Sequence, residues 1–215
     1  MKITKRGIHA AAICLGVVAA IGLIGGYSSS KEDYFTLDIN PSMEFKLNHM
    51  GKVGSVQSSN ADAQELLAGY NGKNKEVEQV VKEVIELLVL NGYIKETREN
   101  DILISVEKGN QSQKLLTRVK RSIQESLVLK QVDAMVISQK IEKNRVLTRK
   151  AEKNCISPGK MSLIHKIVAE NQEITEEELV HLRISDLLDF ASAKGTQTRK
   201  LVDKIENLEV YSYIK

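Results

Sequence analysis

Tryptophan is absent, and three phenylalanines and six tyrosines are the only aromatic residues in the chain. A core must therefore be built from valine, isoleucine and leucine, and this composition by itself points to no function. Cysteine is nearly absent too. Cys14 falls in an apolar segment and Cys155 far beyond it, so a bridge between them is geometrically implausible and no disulfide framework is expected. His49, His165 and His181 stand isolated, with no cysteine or carboxylate at metal-ligand spacing, and read as surface or capping residues. The chain has no Gly-rich dinucleotide fingerprint, no phosphate loop of the Walker type and no GxSxG elbow. Ser157-Pro158-Gly159-Lys160 lacks the strand and glycine spacing of a phosphate loop and reads as a helix start with proline in the first turn. No cofactor and no metal is expected, and no conventional turnover enzyme is visible.

A net charge of one sign is missing from most of the chain. The formal charge is +3, and Lys2, Lys5 and Arg6 account for it, so the remainder is neutral. Nucleic acid is not an expected partner. With 215 residues, 42% hydrophobic and 27% charged, the chain is long enough for one or two domains with real cores.

What is present begins with Gly7 to Ser30, a stretch without a formally charged residue. Roughly 20 residues, Ile8 to Tyr27, suffice to cross a bilayer as a helix. Basic residues precede the span and near-cancelling charges follow it, which places the N-terminus inside and the rest outside. An uncleaved anchor is the favoured reading. Gly25 to Ser30 also offers small residues to a signal peptidase, and a freed, secreted domain is the alternative.

Beyond the span, Phe35, Leu37 and Ile39 alternate with Thr36, Asp38 and Asn40, and Met43, Phe45 and Leu47 alternate with Glu44, Lys46 and Asn48. Both runs have the period of half-buried strands. A third strand is expected over Val53 to Gln57, then a short helix over Ala61 to Ala68 capped by Ser58-Ser59-Asn60. A helix from Lys75 to Leu90, a strand from Asp101 to Glu107, a helix from Gln111 to Leu129 and a strand from Val132 to Ser138 complete an α+β domain with a small mixed sheet and packed helices. Shorter helices follow over Arg145 to Lys153, Lys160 to Glu170, Thr175 to Leu182 with a capping box, and Ser185 to Ala191. The expected division is a cytoplasmic tail (1–7), a transmembrane helix (8–27), an extracytoplasmic α+β domain (28–142), a small helical subdomain (143–192) and an amphipathic tail (193–215).

The first two strands meet at Asn40-Pro41 with no glycine between them, although tight hairpins usually recruit Asn-Gly or Asp-Gly. Covalent structure gives this pair a second meaning. Asparagine ordinarily deamidates when the next backbone nitrogen attacks its side-chain carbonyl, and the proline nitrogen carries no hydrogen. The remaining cyclisation has the Asn40 side-chain nitrogen attack its own backbone carbonyl, forming a succinimide and expelling Pro41 as an amine. Asp38 is placed to orient or deprotonate the amide, and the Ser42 hydroxyl to donate to it. Such chemistry is single-turnover autoproteolysis at most. A passive turn in a non-cleaving binding or assembly module is the competing reading.

The run YFTLDINPSMEFKLNHMGKVGSVQSSN, followed by NGYIKETRENDILISVE and later ISPGKMSLIHKI, resembles the extracytoplasmic middle domain of the RsgI-type anti-sigma factors of clostridia and bacilli over about residues 33 to 190. The resemblance implies a single-span membrane protein that self-cleaves at Asn40-Pro41, with its two pieces associated until a signal separates them. Intramembrane proteolysis then releases a cytoplasmic anti-sigma segment and its sigma factor. The implied partners are thus the membrane, an intramembrane protease and, indirectly, a sigma factor. Met1 to Gly7 are too few to hold the family's sigma-binding domain, which is expected to be encoded upstream, to be a separate polypeptide, or to be lost. A carbohydrate ligand is unsupported, because the residues after Ser192 are too few for a carbohydrate-binding module.

Overall fold

The computed structural model describes residues 33–97, 100–170, 173–193 and 208–213. The expected membrane span and most of the expected amphipathic tail lie outside them. Cys155 is disulfide-bonded, against the expectation of no bridge. Among the described residues no helix is long and apolar enough to cross a membrane.

Six strands form one sheet: β1 (Tyr34–Asp38), β2 (Ser42–Leu47), β3 (Val53–Ser58), β4 (Asp101–Glu107), β5 (Ala134–Ile141) and β6 (Leu208–Tyr213), in the order β3-β2-β1-β4-β5-β6. All neighbours run antiparallel except β4 and β5, which are parallel. A parallel pair needs a crossover, and the helix between these two strands supplies it. The α+β class with a mixed sheet and packed helices is as expected.

The first face of the sheet is covered by α1 (Ala61–Leu66), α2 (Val77–Leu90) and α3 (Ser112–Lys130). Val77, Val80, Val81, Val84, Ile85 and Leu88 line the buried stripe of α2, and Leu115, Val119, Ile123 and Leu127 that of α3. They close over Phe35, Leu37, Met43, Phe45, Ile102 and Ile104. Phe35 and Phe45 are register partners on adjacent strands, and their rings stack with centroids 4.4 Å apart. Both are fully buried, at roughly 1.5–3 kcal/mol each.

The second face is covered as well. The helices after residue 145, read from sequence as a separate subdomain, are α4 (Arg145–Lys153), α5 (Pro158–Glu170), α6 (Glu176–Leu179) and α7 (Ile184–Ala193). Their core takes in Leu103 of β4 and Ile137 of β5, so the sheet is shared between two helical layers. The capping box forms as expected, with the Thr175 backbone N–H and hydroxyl both donating to Glu178. That helix ends at Leu179, however, short of the expected Leu182. His165 is not isolated: its Nε2 lies 2.9 Å from Glu176 Oε1, tying α5 to α6.

The double cover changes β1. Alternation suggested one wet face, yet all five of its residues are buried. Its polar positions meet polar partners instead of water. Thr36 on β1 lies opposite Ser105 on β4, and Ser105 opposite Gln139 on β5. The Gln139 side chain donates to Ser105 Oγ and to the Gly159 carbonyl, each at 2.9 Å, and accepts from Lys166. Helix α5 lies close against this row at Gly159. A Cβ built there would collide with Thr36 Oγ1 and would sit 2.5 Å from Ser105 Oγ and 2.7 Å from Ser105 Cβ.

Gly159→Ala is therefore expected to destabilise the fold by about 2 kcal/mol or more, because the obstructing atoms belong to short side chains on central strands. Chemical denaturation would read the loss, and Gly109→Ala, at a position with nothing within 4 Å, serves as the control.

Candidate functional site

The closing pair of the β1–β2 hairpin is Asp38 opposite Ser42, so the loop is Ile39-Asn40-Pro41. The Ile39 N–H donates to the Pro41 carbonyl at 2.9 Å, which draws the three residues into a tight turn. Asn40 is forced to φ 106°. A residue with a Cβ rarely adopts positive φ, and 106° lies well past the left-handed helical well near 57°. Proline after it narrows the choice further, because its ring disfavours helical backbone at the preceding residue. Strain of this kind costs on the order of 1–3 kcal/mol and persists only where the surroundings hold it.

The surroundings are firm on both sides. Ile39 and Pro41 are buried while Asn40 between them is exposed. The Ser42 backbone is held twice: its N–H donates to Asn60 Oδ1 at 3.2 Å, and its carbonyl accepts from the Ser59 N–H at 2.9 Å. Asn60 is also the N-cap of α1, accepting from the Ala63 N–H at 3.0 Å. Its Nδ2 reaches back across the loop to Asn40 Oδ1 at 3.4 Å. Asn40 and Ile39 also line a solvent-open cleft of about 470 Å³, shared with Asp62, Tyr93 and Arg183.

Asp38 sits directly beneath the turn and is fully buried. Its Oδ2 accepts from the Thr36 hydroxyl at 2.9 Å and from the Ser157 hydroxyl at 2.7 Å. Ser157 is the residue before α5, and its Oγ in turn accepts from the Lys160 N–H at 2.9 Å, as an N-cap does. Asp38 Oδ1 makes no hydrogen bond of good geometry, although the Ser42 hydroxyl is near enough to favour the carboxylate. Burial pushes the Asp38 carboxyl up to about 6, against the pull of the Ser157, Ser42 and Thr36 hydroxyls and the charge of Lys160. Lys160 is itself buried, donates to the Val180 carbonyl at 3.2 Å, and is pushed down by that burial.

Of the residues singled out in the sequence, Asp38, Asn40, Pro41 and Ser42 are brought together by the turn. The hydrogen bonds of Asp38 run inward to Thr36 and Ser157, and the contact on the Asn40 side chain comes from Asn60. Sequence reasoning read Asn60 only as a helix cap and Ser157 only as a helix start. The cap clusters were the available signals, but nothing in them indicated that both capping side chains also reach the β1–β2 hairpin.

With this geometry in place, residues 32–166 match the family described as the anti-sigma factor RsgI-like central domain. The chain belongs to this family. The match takes in the strained turn, Asp38, Asn60 and the start of α5. Anti-sigma-I factor RsgI7 of Acetivibrio thermocellus is 29% identical over 187 residues, covering 86% of this chain and 34% of the relative. RsgI9 of the same organism is 26% identical over 173 residues (78% and 24%), and RsgI6 is 25% identical over 210 residues (92% and 27%). The RsgI-like chain thus spans between 24% and 34% of the length of these relatives.

The Asp38 carboxyl gives a signed pH dependence. Its folded-state value is raised from 3.8 to about 6, so the native state holds a proton that the unfolded chain releases. This group's contribution to stability is greatest in acid and is lost as pH rises through that window. Between about pH 4.5 and pH 7, wild type should lose about 2 kcal/mol of stability relative to Asp38→Asn, measured by denaturant titration at both pH values.

Proposed function

We propose that this chain is a membrane-anchored signalling protein of the anti-sigma class, whose extracytoplasmic domain cuts itself between Asn40 and Pro41. The observation that carries the reading is the backbone leading into that bond: Asn40 at φ 106°, exposed, immediately before a buried proline. In the reaction Asn40 Nδ2 attacks the Asn40 carbonyl carbon. The new C–N bond closes a succinimide, the bond to Pro41 breaks, and the proton lost from Nδ2 ends on the proline nitrogen. Water from the adjoining cleft then opens the succinimide. Strain released at the turn supplies about 5- to 150-fold of the acceleration if 1–3 kcal/mol of it is relieved on the way to the transition state.

The cut leaves the pieces joined. The membrane-side piece ends in β1, which is hydrogen-bonded to β2 on one side and β4 on the other. Phe35 and Leu37 stay buried in the first core, and Asp38 stays bonded to Ser157 in the second layer. Separation requires a pull on β1 along its length, and intramembrane proteolysis of the anchored piece then frees a sigma factor. The sigma factor is an indirect partner, reached through whatever cytoplasmic segment acts with this chain.

The test is a denaturing gel of the full chain. The wild type should run as two bands, residues 1–40 and 41–215, that copurify under native conditions, and Asn40→Ala should run as one. An uncut wild type after prolonged incubation would leave Asn40-Pro41 as a turn in a non-cleaving binding or assembly module.

A further inference from the structure

We propose that Asn60 is a positioning residue for the cyclisation of Asn40, an inference that rests on the self-cleavage reading above. The orientation of the Asn60 carboxamide follows from its hydrogen bonds. Two backbone N–H groups, of Ser42 and Ala63, converge on one side of the Asn60 carboxamide at 3.2 and 3.0 Å. That side must be the oxygen, since an amide nitrogen cannot accept from either. The other side is therefore the NH₂ group, and the atom it faces across the loop must accept. That atom is the Asn40 side-chain oxygen, 3.4 Å away. One carboxamide thus fixes the other: Asn40 Oδ1 is turned toward Asn60, which directs the Asn40 Nδ2 group away from it.

The contact has a chemical as well as a steric effect. When Asn40 Nδ2 gives up a proton to become nucleophilic, negative charge gathers on Oδ1. A donor at Oδ1 stabilises that charge, and the two N–H groups feeding the Asn60 oxygen polarise its amide and make Nδ2 the better donor. At 3.4 Å the bond is long in the resting state, as hydrogen bonds that tighten toward a transition state often are. Asn60 is anchored for this task, because its oxygen is fixed to the first residue of β2 and to the first turn of α1.

Asn60→Asp separates the donor from the cap. The substitution keeps an acceptor for Ser42 and Ala63 and replaces the NH₂ by a carboxylate oxygen that faces Asn40 Oδ1. The full chain, made by cell-free translation, is followed on denaturing gels from the moment of synthesis, beside wild type, Asn40→Ala and Asn60→Ala. Asn60→Asp should cut at least tenfold more slowly than wild type at pH 7 while melting at the same temperature. The gap should narrow as the pH falls toward about 4, where the introduced carboxyl regains a proton to donate. Asp38 beneath the turn and Asp62, Asp101 and Arg183 around the cleft are present in every variant, and Asn60→Ala reports their titration without an introduced carboxyl. Asn60→Ala should be slow at every pH. An Asn60→Asp chain that cuts at the wild-type rate overturns the proposal, as does a slowdown that is pH-independent and follows a lowered melting temperature. If the wild type itself stays whole, the self-cleavage reading falls first and this role with it.

Discussion

The carboxyl of Asp38 is the joint on which the rest of the structure depends. It stands at the end of β1, in the middle of the sheet, and is hydrogen-bonded to Ser157 at the head of a helix 119 residues later in the chain. A charged group is buried without a partner only at great expense, and this one is supported by the Thr36 hydroxyl, by the Ser157 hydroxyl at a helix start and by a neighbouring lysine. The demand for that support explains why α5 approaches so closely and why glycine occupies position 159. The same joint fixes the last residue of β1 immediately before the turn, so the hairpin cannot relax the Asn40 backbone by letting its first strand slide.

Rigidity around a strained residue is the recurring theme of this region. The turn is clasped from below by Asp38, from the side by Asn60, and from within by the bond between Ile39 and Pro41. Three independent elements, β1, β2 and the head of α1, are thereby engaged on three residues. This is the condition under which an unfavourable φ survives in a folded protein.

Much of this was legible in advance. The helices α2 and α3, the helix start at Pro158, the capping box at Thr175 and the alternation of β1 and β2 each have a local physical cause, and each element formed near its expected place. The second layer was not legible. Thr36, Ser105 and Gln139 occupy positions that alternation assigns to solvent, and a polar residue facing water is spelled the same way as one facing a buried polar row. Likewise Asp38 and Asn40 share a strand face only while the strand continues, and it ends at Asp38. The site residues themselves could be named from chemistry, because proline's missing N–H is a property of two letters. The orientation of the Asn40 amide could not, since it is set by a residue twenty positions away.

The position of β1 between β2 and β4 has one more consequence. If that strand is withdrawn, the β2–β3 hairpin loses its pairing, through β1, to β4 and the rest of the sheet, and the first apolar layer opens together with the buried polar row behind it. If the chain is cut after Asn40 as proposed, the withdrawn strand has no covalent guide back into the gap. Under the proposed cut, a domain built this way would act as a fuse and not as a spring: it would come apart once, and new synthesis instead of resetting would replace it.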